Sequence, residues 1–346
     1  MSRTASAVLA AAVAALAACG DQGVTEPRAA ATADRPARTE TVYTCLYEPV
    51  TRTVNVANTP QLAEALQDAQ PGDLILLADG TYTGPFVATA SGTASERITL
   101  CGSRNAVVQT GSTSTLGFAL VIRASYWTVK GFTVTSAQQG VAVEGGHHNE
   151  ITGMAVHGIG QEAVKLYKIS TYNTVRGNEI YDTGVWNAEW GEGVYVGSYN
   201  GHWAQNSGGQ PDSSDYNRVL DNQFGPDVRA EHIDVKEGTK RGLIQGNHFD
   251  GRGMVRSQTW VDSWVEIKGN EYTVTGNTGA VSLRDGFQAY EALSGWGWNN
   301  TFSDNVADVQ STGYGFRVDN NRGHVVRCSN QVTNAASGAW NIACTP

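Results

Sequence analysis

The chain has 346 residues, of which 40% are hydrophobic, and this supplies enough apolar material for one large domain or two ordinary ones. Its 24 basic and 33 acidic residues give a formal net charge of −9, which excludes general nucleic-acid binding through a basic surface. Helix formers are sparse, whereas Gly (40 residues), Asn, Thr and Val are abundant, a composition that favours short strands joined by tight turns.

The first residues have the features of an export signal, which we assign to residues 1–18. Arg3 gives a basic start, and an apolar run of small residues from Ala7 to Ala18 precedes Cys19. This run is too short to remain as a membrane-spanning helix. Its end, Leu16-Ala17-Ala18-Cys19, resembles the bacterial lipoprotein processing site, which predicts cleavage before Cys19 and attachment of lipid to that cysteine. The alternative is ordinary secretion, with the cysteine at this position by chance.

The next segment, residues 19–41, is rich in Ala, Thr, Pro and charged residues and has no apolar periodicity. Such a composition is typical of a flexible tether. We therefore expect the folded domain to comprise residues 42–346. The exported chain is expected to be lipid-anchored to the bacterial cell envelope, at the outer membrane or cell surface, and otherwise to be secreted.

Four cysteines remain when Cys19 is set aside, and an even number in an exported chain predicts disulfides. We favour the pairs Cys45–Cys101 and Cys328–Cys344, each of which would fasten one end of the fold. There is no CxxC motif and no Cys/His cluster, so a zinc site is not expected.

The first regular element is a short amphipathic helix. Thr59 and Pro60 suit a helix cap and first position, and Leu62, Ala65, Leu66 and Ala69 share one face. Pro71-Gly72 ends the helix, and the LILL run that follows reads as a buried strand ending at Asp79-Gly80. We expect the helix to cover the open end of the fold.

From there on, one pattern recurs: a short apolar strand, a polar turn with Asn or Gly, and another strand. Examples are WTVKGFTV at 127, NTVRGNEIYDTG at 173, GLIQGNHF at 242 and NTFSDNVA at 300. Equivalent pieces recur about every 20 to 30 residues, which indicates stacked coils. The predicted fold class is all-β, a right-handed parallel β-helix. A β-propeller would need longer blades of four antiparallel strands.

One strand of each coil can be aligned by its pair of apolar residues, in the segments QEAVKLY (161–167), GEGVYVG (191–197), AEHIDVK (230–236), DSWVEIK (262–268), AVSLR (280–284) and GYGFRVD (313–319). Alternation along a strand sends the other residues outward. The outward central column then contains Lys165, Tyr195, Asp234, Glu266, Ser282 and Arg317. The column two residues on contains Tyr167, Gly197, Lys236, Lys268, Arg284 and Asp319, and the column three residues before the centre contains Glu162, Glu192, Glu231 and Ser263.

Because neighbouring coils lie about 4.8 Å apart, these columns form one contiguous patch of mixed charge. Charge ladders also occur on solenoids without a function, since isolated surface ion pairs contribute only about 0 to 1 kcal/mol. Three adjacent cations in one column beside three acids in another nevertheless favour a functional face.

Several stretches resemble the chondroitinase B and alginate lyase family of β-helical polysaccharide lyases. They are ALQDAQPGDLILLADGTYTGPF (65–86), GTASERITLCG (92–102), GEGVYVG, EHIDVKEGTKRGLIQGNHF (231–249), SWVEIKG and AVSLRDG. The strings EHIDVKEGT, GEGVYVG and DGFQAYE are also similar to exported right-handed β-helix repeat proteins. The resemblance implies a lyase that cleaves a uronic-acid-containing polysaccharide.

In that family, the strand matching HIDVK carries a lysine that removes a proton, and Lys236 matches it. Arg284 and Lys268 are the other catalytic candidates, since the family places an arginine on the following coil. Glu231 matches an acid that binds calcium in some members, and we expect it to share a calcium site with Asp234, Glu237 and Glu266. Tyr195 stands where the family has a central arginine.

A uronate lyase needs a base for the proton beside the carboxylate, and a group that neutralises that carboxylate. Lys236 is the candidate base, and calcium on the acids would grip the substrate. The remaining candidates for substrate binding are Glu192, Tyr195, His232, Arg317, Trp190 and Lys165. The long insertion at 199–215 is expected to wall one end of a groove.

Two other functions remain open at this point. Asp234 and Glu266 on adjacent coils are about 5 Å apart by the coil spacing, which also suits a glycoside hydrolase. A non-catalytic carbohydrate-binding surface protein is the second alternative, because aromatic residues cluster near the same coils. In each case the expected partner is a polysaccharide, anionic in the lyase case and attracted by a local basic patch. We expect a monomer that meets a membrane only through its lipid anchor.

Overall fold

A computed structural model describes Cys45 and residues 50–255 and 261–346. The predicted signal, tether and lipidation site at Cys19 lie outside these residues. No helix in the described part of the chain has the length and apolarity that a membrane span requires.

Short strands make up most of the described chain. In chain order they are β1 (Arg52–Val56), β2 (Asp73–Leu77), β3 (Gly80–Thr83), β4 (Phe86–Ala88), β5 (Ile98–Gly102), β6 (Ala106–Gln109), β7 (Phe118–Ile122), β8 (Trp127–Lys130), β9 (Thr133–Val134), β10 (Gln139–Glu144), β11 (Glu150–Thr152), β12 (Ala155–Ile159), β13 (Val164–Tyr167), β14 (Thr174–Arg176), β15 (Glu179–Thr183), β16 (Val194–Val196), β17 (Arg218–Leu220), β18 (Gln223–Phe224), β19 (Ile233–Val235), β20 (Leu243–Gln245), β21 (His248–Asp250), β22 (Ser263–Ile267), β23 (Thr273–Thr275), β24 (Thr278–Ala280), β25 (Asp285–Ala289), β26 (Thr301–Ser303), β27 (Val306–Ser311), β28 (Tyr314–Val318), β29 (Val325–Val326), β30 (Gln331–Ala335) and β31 (Gly338–Trp340). The α-helices are α1 (Thr59–Gln67) and α2 (Trp203–Asn206), and Ala188–Trp190 and Asn200–His202 form 3₁₀ turns.

The strands form three parallel sheets, in which each strand pairs with its equivalents one coil earlier and one coil later. The first sheet runs β1-β2-β5-β8-β11-β14-β17-β20-β23-β26-β29. The second runs β4-β7-β10-β13-β16-β19-β22-β25-β28-β31, and the third runs β3-β6-β9-β12-β15-β18-β21-β24-β27-β30. This arrangement confirms the predicted parallel β-helix.

The interior of the solenoid is a continuous apolar stack, because the inward residue of each strand lies on the inward residue of the next. Phe287 and Phe316, on neighbouring coils, stack with ring centroids 4.9 Å apart. Trp264, Phe249 and Phe302 are fully buried beside them. Such dense packing of large side chains is the main source of the stability of the fold.

Buried asparagines line the turns. Their side-chain amides donate from coil to coil in two rows, Asn149–Asn173–Asn217 and Asn178–Asn222–Asn247–Asn277–Asn305–Asn330. Each oxygen also accepts the backbone N–H of the preceding asparagine, as Asn222 Oδ1 does from Asn178 at 3.0 Å. The rows therefore satisfy polar groups that the turns bury.

Helix α1 is capped one residue earlier than predicted. Asn58 caps the helix by accepting the Gln61 N–H at 3.1 Å, because Thr59 and Pro60 already occupy the first helical positions. Its apolar face is buried against the core through Leu62, Ala65 and Leu66, as the periodicity predicts. Its role in covering the end of the solenoid stays a prediction.

Both predicted disulfides are present. Cys45 bonds to Cys101, with their Cα atoms 5.9 Å apart, and Cys328 bonds to Cys344, with theirs 5.1 Å apart.

The strand alignment predicted for the second sheet is correct for the coils that carry Val164, Val194, Ile233 and Val265, which pair in succession. The alignment of AVSLR is wrong. Val265 pairs instead with Phe287, so the strand of this coil is β25. AVSLR alternates like a strand but forms the turn after β24, where Val281 has a φ of +58°.

Candidate active site

The outward face of the second sheet carries three columns of polar side chains. The register gives a central column of Lys165, Tyr195, Asp234, Glu266, Gln288 and Arg317. Two residues further along each coil stand Tyr167, Gly197, Lys236, Lys268, Tyr290 and Asp319, and three residues before the centre stand Glu162, Glu192, Glu231, Ser263 and Asp285. We call these the central, the cationic and the acidic column.

Asp234 lies between two lysines of the cationic column. Its Oδ2 is 2.5 Å from Lys236 Nζ, and its Oδ1 is 2.7 Å from Lys268 Nζ. Burial acts to raise the pKa of Asp234, but the charges of Lys236 and Lys268 outweigh it, so the pKa is lowered and the carboxylate stays ionised.

Lys268 is the more enclosed of the two lysines, with a side chain only 7% exposed. It also contacts Glu266 Oε2 at 2.8 Å, and Tyr290 donates its hydroxyl to the same oxygen at 2.9 Å. Burial would lower the pKa of Lys268, but Asp234 and Glu266 raise it well above 10.5. Lys268 is therefore a fixed positive charge rather than a base.

Lys236 keeps more access to solvent, with 17% of its side chain exposed. Gly197 lies beside it and has a φ of +87°. A Cβ at Gly197 would stand 2.6 Å from Thr239 Cγ2 and 3.5 Å from Lys236 Cβ. A side chain at position 197 would therefore clash with Thr239, so the glycine lets Thr239 and the stem of Lys236 pack closely against the backbone of the preceding coil.

Tyr195 places its ring between two cations. Lys165 Nζ lies 4.3 Å and Lys236 Nζ 4.9 Å from its ring centroid, within range of cation–π attraction. Burial, followed by the charges of Asp234 and Glu192, raises the pKa of Tyr195 well above 10. Its hydroxyl is therefore protonated at neutral pH and able to donate.

Asp234 and two further buried carboxylates converge on one point. Ligand oxygens of Glu192, Glu231 and Asp234 all lie within 4.8 Å of one another. Glu192 Oε2 is buried without a hydrogen-bond partner in the described structure. Burial, together with Glu162 and Asp234, raises the pKa of Glu192 to about 8, and burial with Glu266 raises that of Glu231 well above 4.5. Glu192, predicted for substrate binding, thus belongs to the carboxylate group.

The other two predicted metal ligands, Glu237 and Glu266, are not part of this group of three. Glu237 is buried in the turn after β19, where its Oε1 accepts the Asn200 N–H at 2.6 Å. Glu266 is held by Lys268 and Tyr290. The hydrogen bond to Asn200 fixes Glu237 in the turn after β19, and this residue is not one of the three converging acids.

His232 does not face the patch. It is fully buried against Phe224 and Phe249, and its Nε2 lies 3.2 Å from the Asp250 carbonyl oxygen. Burial lowers the pKa of His232 to about 4, so it is neutral. Gly193 on the preceding coil allows the backbone of His232 and the ring of Phe224 to approach closely, since a Cβ there would stand 2.6 Å from the His232 carbonyl oxygen and 2.7 Å from Phe224 Cδ1.

Arg284 is not in the cationic column, because Tyr290 occupies its predicted place beside Lys268. It lies before β25, where it is 3.5 Å from Asp262 and 3.7 Å from Asp285. Arg317 holds its predicted central position and lies 3.9 Å from Asp285. Both arginines therefore lie near Asp285 of the acidic column, Arg284 one coil and Arg317 two coils beyond Lys268.

The remaining predicted residues lie near β16. Lys165 Nζ contacts Glu162 Oε1 at 2.5 Å, and the side chain of Gln139 donates to the same carboxylate. Trp190 is exposed, two residues before Glu192. Sequence reasoning missed Tyr290 and Gln288, although DGFQAYE carries the alternation of Phe287 and Ala289 that could have identified them.

A family model for a Pel9A-like right-handed β-helix region matches residues 49–193, which confirms the predicted handedness. The solved alginate lyase from Paenibacillus sp. str. FPU-7 is 35% identical over 84% of this chain and 98% of that chain, with a TM-score of 0.78. Pectate lyase Pel9A is 19% identical over 84% of this chain and 79% of that one, with a TM-score of 0.62, and shows the shared fold. No curated protein matches the chain.

Proposed function

Because the chain belongs to the family of Pel9A-like right-handed β-helix polysaccharide lyases, we propose that it cleaves a uronate-containing polymer by β-elimination with Lys236 as the base. The observation that supports this most is the position of Lys236, which is partly exposed and lies against Asp234 of the buried carboxylate group. The similar lyase from Paenibacillus acts on alginate, so alginate is the first substrate to try.

In this reaction Lys236 first gives its own proton to solvent, and the neutral amine then takes the proton from the carbon that bears the carboxylate. The electron pair left behind forms a double bond with the neighbouring carbon, whose bond to the glycosidic oxygen breaks. Tyr195, which keeps its proton at neutral pH, donates it to that leaving oxygen. The fixed charge of Lys268 stabilises the negative charge that develops on the substrate carboxylate.

A divalent cation fits the carboxylate group. Glu192, Glu231 and Asp234 offer hard oxygen ligands within 4.8 Å of one another, and Glu192 Oε2 is buried without a partner. Calcium prefers such oxygens, and we propose that these three residues hold it. When bound, it would neutralise the acids and the carboxylate of the substrate.

Two substitutions at Lys236 test whether this residue acts as a base or only supplies a positive charge. Lys236→Ala and Lys236→Arg are both expected to lower kcat by about 10³-fold, because arginine keeps the charge but cannot accept a proton. The assay follows the unsaturated, ultraviolet-absorbing sugar end on alginate and other anionic polysaccharides, with and without a calcium chelator. Retention of activity by Lys236→Arg would show that position 236 only grips the substrate.

A glycoside hydrolase is the second candidate. The pKa of Glu192 is raised to about 8 while that of Asp234 is lowered, and an acid paired with an ionised carboxylate is what hydrolysis needs. New reducing ends without ultraviolet absorbance would establish this reaction instead.

We also propose that the protein is exported, lipid-anchored at Cys19 and monomeric. The support is the processing site Leu16-Ala17-Ala18-Cys19. Labelling of the wild type with radioactive palmitate, and loss of the label in Cys19→Ala, would test the anchor. Gel filtration of the chain without its first 19 residues would test the monomer.

A further inference from the structure

Two exposed tryptophans stand at the entrance to β16, the strand that carries Tyr195. Trp186 is 49% exposed and Trp190 is 52% exposed, in the loop of residues 184–191 that leads to Glu192. Large aromatic side chains are costly to leave in water, so a pair of them beside a reaction site points to a ligand.

This loop is held in place by its own hydrogen bonds. The backbone N–H groups of Trp186 and Asn187 both donate to the Gly160 carbonyl oxygen, at 3.3 and 3.0 Å. At its base, Thr183 Oγ1 donates to the Gly191 carbonyl oxygen at 2.5 Å. A Cβ at Gly191 would stand only 2.7 Å from Gly184 Cα, so the two ends of the loop touch. The tryptophans are therefore presented by a fixed support.

A third exposed aromatic ring, that of Tyr199, lies at the other end of β16. Tyr199 is 53% exposed at the start of the insertion of residues 199–215, and its ring contacts that of His202 edge-on at 5.8 Å. Glu237 anchors the insertion at Asn200 N. Buried Asp212 anchors its far end by accepting the N–H groups of Lys168 at 3.0 Å and Ile169 at 2.7 Å.

We infer that Trp186, Trp190 and Tyr199 form an aromatic clamp that binds pyranose rings of the polymer on both sides of Tyr195. This inference rests on the proposed function for the identity of the sugar. Sugar rings have apolar faces that stack on aromatic rings, and the charged columns between the two ends of β16 would take the carboxylates. The clamp positions the chain and takes no part in the proton transfers.

The test compares Trp186→Ala, Trp190→Ala and Tyr199→Ala with the wild type on alginate. Each is expected to raise KM by about three- to tenfold, with kcat within about twofold, because each ring contributes to binding of the polymer and takes no part in the proton transfers. Trp190→Phe should retain most of the affinity. Trp298→Ala is the matched control, since Trp298 is also exposed but follows β25, three coils further on.

Affinity electrophoresis in alginate gels separates this inference from the proposed function. Retardation of the wild type that is lost in Trp190→Ala supports the clamp even where no lyase activity is found. Unchanged KM in all three variants overturns it, as does an equal rise in Trp298→Ala, which would indicate diffuse stacking along the whole face.

Discussion

The asparagine rows and the acidic column both stack buried polar side chains from coil to coil. The stacked amides satisfy one another, whereas the stacked carboxylates do not. An amide both donates and accepts, so Asn178, Asn222 and Asn247 satisfy one another from coil to coil at 2.9 Å. A carboxylate only accepts, so burial and the charges of neighbouring acids raise the pKa values of Glu192 and Glu231. Amides stacked on successive coils therefore stabilise one another. Carboxylates stacked in the same way require a cation to balance their charge.

The largest effect on stability is expected when Lys268, the cation that pairs with Asp234 and Glu266, is removed. Lys268→Met should destabilise the protein by about 4 kcal/mol, because it leaves the buried Glu266 without a cation and Asp234 with Lys236 alone. Urea unfolding would measure this loss. The double variant Lys268→Met with Asp234→Asn should recover part of it, and a double variant no more stable than the single one would contradict the electrostatic cause.

In the asparagine row, Asn222→Ala should cost about 3 kcal/mol, since it removes both the acceptor of Asn178 and the donor to the Val175 carbonyl oxygen. The measurement is again the free energy of unfolding in urea. Activity per folded molecule should be unchanged, which separates this row from the acidic column. Asn55→Ala, at an exposed position of β1, is the control.

The turn position held by Asn149, Asn173 and Asn217 is occupied by Gly242 and Tyr272 on the next two coils, then by Asn300, and finally by a residue that titrates. His324 Nδ1 accepts the Asn300 N–H at 3.2 Å, as an asparagine oxygen does elsewhere in the row. Burial lowers the pKa of His324 to about 4 in the folded state, against 6.5 unfolded. The unfolded chain therefore binds the proton more tightly, and stability is lost as the pH falls from about 6.5 to about 4.

This loss should approach about 2 kcal/mol, less than the full pKa difference implies because the ring is partly exposed. Thermal unfolding of the wild type and of His324→Asn across this pH range would show it. The variant should lose less stability on acidification, and parallel curves for the two proteins would rule out His324 as the cause.

The smallest effect on stability is expected at Glu192. With a pKa raised to about 8, this carboxyl is mostly protonated at pH 7, so Glu192→Gln should change the stability in chelator by about 1 kcal/mol or less. Calcium should raise the Tm of the wild type and not that of the variant. An equal calcium shift in both proteins would place the cation elsewhere.

The sequence predicts the repeats well because the solenoid makes local patterns visible. Strand alternation identified the inward residues from Val164 to Ile267, and with them the convergence of Lys236, Lys268 and Asp234. Strand alternation gave a wrong result at Val281, where a turn has the apolar–polar alternation of a strand. The left-handed backbone conformation of Val281 could not be predicted from its residue type. Strand alternation failed again at His232, because two successive residues turn inward as β19 begins. The burial of Glu237 depends on the distant Asn200 and has no local pattern at all.

The in-register pairing of β16, β19 and β22 has an evolutionary consequence. Each coil adds one residue to every column, so loss or duplication of a whole coil would change the spacing between cations in steps of about 4.8 Å and leave their directions unaltered. Smaller insertions are absorbed outside the strands, as in residues 199–215. Such a scaffold can diversify its specificity for polymers by changing the number of its coils, while the chemistry on any one coil stays intact.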